Sequence, residues 1–240
     1  MKKRDRLHIY KSRFHILTTI FFIFLSLVLV SLFLSPQSST PEAFLLNALP
    51  SLFRILIAYL ISLVLGGSFA MMFTIGRSSN VALPIFDVLQ SLPTFAVMPI
   101  AVSIWGVTNF TIIFFLTLTI IWPITFSTIS SLKLVRHDFE EAAEVFKVRG
   151  FLYFKKFLLP VSLPGLVTGS IIGLGEGWEA LIATEIIVGI QTGLGPFFEF
   201  FRDNRPVTLF GILGFLLIVF TINKLIWLPL LEWSHLKVSE

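Results

Sequence analysis

Three glutamates, Glu176, Glu179 and Glu185, interrupt an apolar stretch that is otherwise almost free of charge. An ionisable group in a bilayer costs at least ~2.5–3.5 kcal/mol on insertion scales, so it turns toward protein or water instead of lipid. At roughly 100° per residue, Glu176 and Glu179 share one face of a helix and Glu185 falls about opposite Glu176. Such carboxylates have two uses: hydrogen bonding to a neighbouring helix, or lining a watery path. Little else in the chain could do chemistry. Cysteine is absent, which excludes disulfides, thiolate metal sites and cysteine nucleophiles. His8, His15, His137 and His235 form no ligand-spaced cluster, so no metal site is expected. The chain has no GxxxxGK[ST] phosphate loop, and no catalytic residue is expected.

The glutamates sit beside Gly165, Gly169, Gly173 and Gly177, which recur every four residues. Small residues at that spacing make a smooth helical stripe that a second helix can approach closely. Either tight packing or a sliding contact fits such a stripe. Upstream, Pro84, Pro93 and Pro99 each remove a backbone donor and favour a kink in one apolar segment. Their freed carbonyls need water or neighbours, which a bent, path-lining helix would supply. Pro93 on that segment, and Trp178 beside the glutamates, join Glu176, Glu179 and Glu185 as candidates for a path. Arg54, near the end of another apolar segment, reads as snorkelling or paired and not as a ligand.

Positioning these groups requires membrane-spanning helices. Of 240 residues, 55% are hydrophobic, 27 are phenylalanine and only 13% are charged, where soluble domains carry roughly 25% charged residues. About 20 apolar residues cross a bilayer, and six stretches are long enough: 14–34, 44–75, 81–105, 110–131, 157–190 and 207–230. The first lacks an Ala-x-Ala-like cleavage site and exceeds a usual signal-peptide core, so it reads as a retained helix. The net charge of +4 could point to nucleic acid, but its distribution points to orientation. Lys2, Lys3, Arg4, Arg6, Lys11 and Arg13 precede the first stretch; Lys133, Arg136, Lys147, Arg149, Lys155 and Lys156 surround the fourth loop. Basic loops stay cytoplasmic, which predicts both termini and the 132–156 loop inside.

That loop is a charged island. Asp138 and Glu141 have the spacing of an N-cap and its third residue, which predicts a helix starting there. Glu140, Glu141 and Glu144 crowd its first turns, where the helix dipole favours negative charge. Gly150 is the expected stop, and a second amphipathic piece, 151–159, leads into Pro160. From charge alone, a helix lying on the lipid headgroups would look the same.

The stretch EAAEVFKVRGFLYFKKFLLP (141–160) resembles the EAA loop of binding-protein-dependent ABC importer permeases, from Glu141-Ala142-Ala143 to Pro160. Leu52-Phe53-Arg54, SLPTFAVMPIAVSIWG (91–106) and WEALIATEIIVGIQTGLGPFF (178–198) look like the nitrate, sulfonate and taurine branch. Lys147 stands where the family pattern has glycine, and Gly150 follows three residues later. The resemblance implies a type I permease fold, all-α with about six transmembrane helices, in a bacterial inner membrane. It implies a homodimer working with two ATPase subunits, which hold ATP and Mg, and an extracytoplasmic solute-binding protein. Glu141, Ala142 and Ala143 would dock on the ATPase, and Glu185 matches a family glutamate, which implies a shared structural role.

The expected organisation is 1–43 for the cytoplasmic N-terminus, first helix and linker, 44–232 for the permease domain, and 233–240 for a cytoplasmic tail. The expected function is the path-forming subunit of an ATP-driven importer of a small organic solute, with lipid around it and no nucleic acid. Ionised Glu176 and Glu179 would repel anions, so a neutral or cationic solute is expected. The alternative is an ion- or proton-coupled carrier using Glu176, Glu179 and Glu185 as a relay.

Overall fold

The computed structural model describes residues 16–28, 40–74, 79–145 and 151–239. Helices α1 (Ile16–Val28), α2 (Thr40–Thr74), α3 (Ser79–Gln90), α4 (Thr94–Trp105) and α5 (Asn109–Val145) come first. Next come a short α6 (Phe151–Tyr153), a π-turn (Phe154–Leu158) and α7 (Leu159–Val188). Then follow α8 (Leu194–Phe200), α9 (Arg205–Ile222), a second π-turn (Asn223–Trp227) and α10 (Leu228–Ser239). No strand occurs among the described residues.

Among the described residues, three helical runs are long and apolar enough to cross a membrane: Thr40–Phe73, Asn109–Lys133 and Arg205–Ser234. The bent pair Pro84–Gln90 and Thr94–Trp105 would add a fourth if it is one span. α7 has crossing length, 30 residues, but carries the three glutamates. On α2, Leu45, Leu49, Phe53, Leu56, Leu60 and Val64 form a single exposed stripe of large apolar side chains. Water would penalise that surface, whereas lipid or a partner helix accepts it. Within the bundle, hydroxyls bond back to their own helix, as Thr117 does to the Ile113 carbonyl at 2.8 Å and Thr128 to that of Ile124 at 2.7 Å. No buried side-chain N or O among the described residues lacks a hydrogen-bond partner, as a lipid surround demands.

The core is α5 held between α7 and α2, its most extensive neighbours. Ile112, Phe115, Leu116, Ile120 and Ile124 of α5 are buried against Ile55 and Ala58 of α2 and Leu174, Trp178 and Leu181 of α7. α5 and α7 run antiparallel. Asn109 and Glu185 both meet Arg54 at one end, and at the other the Ser131 hydroxyl donates to the Val161 carbonyl at 3.0 Å. A second cluster, with Phe44 edge-on to Phe197 and Phe210 at 5.6 and 5.7 Å, seats α8 and α9 against the start of α2. α1 lies along α9, with Phe21 and Phe24 stacked on Phe220.

Two expectations change. The apolar segment 81–105 is not one continuous helix: two helices turned by 73° meet at a break over 91–93, in place of a proline kink. Of its three prolines only Pro93 coincides with the break; Pro84 and Pro99 lie inside α3 and α4. Pro93 disfavours the helical conformation of the residue before it, and Leu92 is non-helical. The second correction concerns Asp138, where no helix starts: α5 runs unbroken from Asn109 to Val145. Between Pro123 and Val145 there is no glycine or proline, and extending a helix is far easier than nucleating a new one.

Candidate functional site

The glycine stripe is where α7 meets α5. A Cβ on Gly165 would lie 2.6 Å from the Ser127 carbonyl oxygen, and one on Gly169 would lie 2.6 Å from Ile124 Cα. The Gly173 position faces the Ile120 carbonyl oxygen at 2.9 Å, and Gly177 faces the Ile120 side chain at 2.9 Å. Gly165, Gly169 and Gly173 thus bring two backbones together, and Gly177 makes room for the Ile120 side chain. Gly66 does the same on the other flank of α5, where a Cβ would sit 3.0 Å from the Ile121 carbonyl oxygen. Gly66 was not singled out from sequence; the Gly66-Gly67 pair inside an apolar helix was the available signal.

Beside the stripe, Thr168, Ile172, Gly175, Glu176 and Glu179 form an exposed band along α7. A Cβ on Gly175 would meet nothing within 4 Å, so this face is open within the protomer. Glu176 and Glu179 therefore sit together on an unfilled face, and like charges at i, i+3 repel. Pro93 is exposed at the α3–α4 break. Trp178 lies in the core instead of on the open face. It is 7% exposed and its ring meets Phe215 edge-on at 5.7 Å.

Glu185 lies elsewhere, fully buried near the end of α7. One carboxylate oxygen accepts from Arg54 Nη1 at 2.5 Å and from Ser51 Oγ at 2.7 Å; the other accepts from the Gly195 N–H at 2.8 Å. Arg54, 3% exposed, also donates to the Thr192 carbonyl (2.7 Å), Thr192 Oγ1 (3.0 Å) and Asn109 Oδ1 (2.8 Å). Ser51 Oγ accepts from the Leu194 N–H at 2.8 Å, and Asn47 Oδ1 from the Gly193 N–H at 3.1 Å. Gly193 has φ +133°, a conformation L side chains rarely adopt, and a Cβ there would collide with Glu185 and Arg54. A buried ion pair is tolerable only when its other lone pairs and protons are satisfied, and here they are. The three glutamates are consequently not brought together: two are open, and the third is sealed on the opposite side of α7.

Sequence reasoning paired neither Arg54 with Glu185 nor either one with Asn47, Ser51, Asn109 and Thr192. The Gly193-Leu194-Gly195 run after Glu185 was the visible hint of a tight backbone approach. At the other end of the bundle, α5 continues past its apolar section, which ends at Lys133. At 1.5 Å per residue, the Glu141-Ala142-Ala143 backbone stands about 12–15 Å beyond Lys133 along that helix. Lys147 and Gly150 lie outside the described residues, and Pro160 is the second residue of α7, directly after the π-turn.

A helical bundle with apolar outer faces, satisfied interior polar groups and glycine-lined helix contacts is a multi-pass membrane protein. The family model for the binding-protein-dependent transport system inner membrane component matches residues 62–227, and the chain belongs to that family. It is similar to the nitrate import permease protein NrtB of Leptolyngbya laminosa, 31% identical over 161 residues covering 67% of this chain and 57% of the relative. The bicarbonate transport system permease protein CmpB of Synechococcus elongatus is 30% identical over 152 residues, 63% of this chain and 55% of the relative. The taurine transport system permease protein TauC of Escherichia coli is 31% identical over 112 residues, 47% of this chain and 40% of the relative. The chain spans about half the length of the curated relatives it matches.

Proposed function

We propose that this chain is the path-forming permease subunit of an ATP-driven importer. The observation that carries the reading is the family match over residues 62–227, which spans the α5–α7 core and the Glu141-Ala142-Ala143 segment. In this reading the protein sits in a bacterial inner membrane with six crossings, its basic loops facing the cytoplasm. Two copies enclose the path, with the open Glu176–Glu179 face of α7 turned to it. Two ATPase subunits, which hold ATP and Mg, bind the 141–160 region, and a soluble binding protein delivers solute to the opposite mouth.

The rigid extension of α5 supports this coupling role. A push on Glu141-Ala142-Ala143 is transmitted along one continuous helix into the core, with no hinge between. α7 receives it through a smooth contact that permits sliding, because glycine surfaces carry no interdigitating side chains.

The solute is a small molecule that tolerates two carboxylates per protomer. NrtB and CmpB are named for anions, nitrate and bicarbonate, which a lining of ionised Glu176 and Glu179 would repel. A neutral or cationic organic solute fits better.

The test is purification of the tagged chain from its own membranes. An ATPase should copurify, and Glu141→Lys should weaken that association while the protein still inserts. Absence of any ATPase, together with uptake by the chain alone in proteoliposomes, would overturn the proposal in favour of an ion-coupled carrier.

A further inference from the structure

Single hydrogen bonds join the helices along the bundle, as Tyr59 does to Ser170 and Ser62 to the Thr117 carbonyl, but the charged junction lies where α5 starts and α7 ends. There, Arg54 and Glu185 tie together α2, α7, the start of α5 through Asn109, and the 192–195 turn that leads into α8. Both side chains are sealed from solvent and each is satisfied by several partners. Shifting one of these elements against the others while the junction stays dry would strand a buried charge or donor, so the hydrogen bonds fix their relative placement. The middle of the α5–α7 contact is the reverse: Gly165, Gly169 and Gly173 lie against α5 backbone, and among the described residues no side-chain hydrogen bond joins α5 to α7 there, Thr128 and Ser170 bonding back to their own helices. At the far end, α7 is entered through the π-turn Phe154–Leu158, and irregular turns of that kind are frequent at functional sites.

The geometry points to Arg54 and Glu185 as positioning residues that make the Ser51–Arg54 stretch of α2, the end of α7 and α8 one rigid outer unit. The inference rests on the importer reading and adds to it where movement is forbidden. Displacement at the 141–158 end is then not absorbed by local bending near the mouth. It reaches α8, whose Phe200 is 80% exposed, as motion of the whole unit. The glycines of the 192–195 turn serve the same end: Gly193 and Gly195 let the backbone lie directly on the ion pair, so α8 follows α7 without slack.

The chain has no cysteine, so spin labels can be placed singly. Leu46→Cys on α2 and Phe200→Cys on α8, both exposed positions, would report the distance across the unit by pulsed electron resonance. Labelled chain is diluted with unlabelled chain and kept with its copurifying ATPase in nanodiscs. The distribution should be narrow and identical without nucleotide and after trapping with ATP and vanadate. In Arg54→Ala and in Glu185→Ala it should broaden and shift, with Arg54→Lys falling between the parent and Arg54→Ala, while ATP hydrolysis by the assembled complex persists.

A distribution that moves on trapping in the parent would overturn the inference, even if both alanine variants failed to fold. So would parent-like distributions in the two folded alanine variants. If no ATPase copurifies, the importer reading fails separately, and the comparison of parent with variants in nanodiscs still decides whether the pair holds the unit rigid.

Discussion

Gly169 lies directly against Ile124: a Cβ on the glycine would stand 2.6 Å from the Cα of the isoleucine and 2.7 Å from the carbonyl oxygen of Pro123. Neither contact is with the flexible end of a side chain, so the helices must separate to admit anything larger. Overpacking of this kind costs about 1–3 kcal/mol or more. Gly169→Leu should therefore lower the unfolding temperature of the purified protein, whereas Gly175→Ala, on the open face, should leave it unchanged or slightly raised. Thermal unfolding in detergent, followed by light scattering, separates the two.

Ser51 is a smaller member of the buried polar junction. Its hydroxyl donates to Glu185 and accepts from the Leu194 N–H, so Ser51→Ala leaves a backbone donor and part of a carboxylate unsatisfied. Such orphaned groups cost about 1–3 kcal/mol. Arg54→Ala, which strands a buried charge, should cost more, about 3–5 kcal/mol. Chemical unfolding of both variants gives the order, and equal stability of Ser51→Ala and parent would contradict it.

Orientation is open to a labelling experiment. With cysteine introduced at Lys2 or His137, a membrane-impermeant maleimide should react only after the membrane is opened from the cytoplasmic side. Reaction at position 137 in intact cells would invert the topology and remove the ATPase from reach of Glu141.

The proposed importer function puts solute choice on the open face of α7. Glu176→Gln and Glu179→Gln, singly and together, should depress uptake of a neutral or cationic solute without releasing the ATPase. The double variant should show the larger loss. Efficient uptake of a sulfonate by the parent chain, or full activity in the double variant, would remove the carboxylates from the path.

Periodicity and composition reached a good part of this molecule. The glycine spacing from Gly165 to Gly177 marks a helix contact because only backbone and size are involved, and both are local properties. The opposed placement of Glu176 and Glu185 follows from the helical repeat alone, and the structure has one open and the other sealed. Apolar length marks the spans of α2, α5 and α9–α10 for the same reason. What tertiary structure decided was partnership. Arg54 and Glu185 are separated by 131 residues, and no local pattern says which buried cation meets which buried anion. Continuity was also beyond local reading. Asp138 carries a capping signal, yet α5 is already propagating when it arrives, and a cap has no unsatisfied N–H groups to serve inside an existing helix. Three prolines in 81–105 all favour a break, and the one that becomes it, Pro93, is fixed only when α3 and α4 take their separate places on α2 and on α5 and α7.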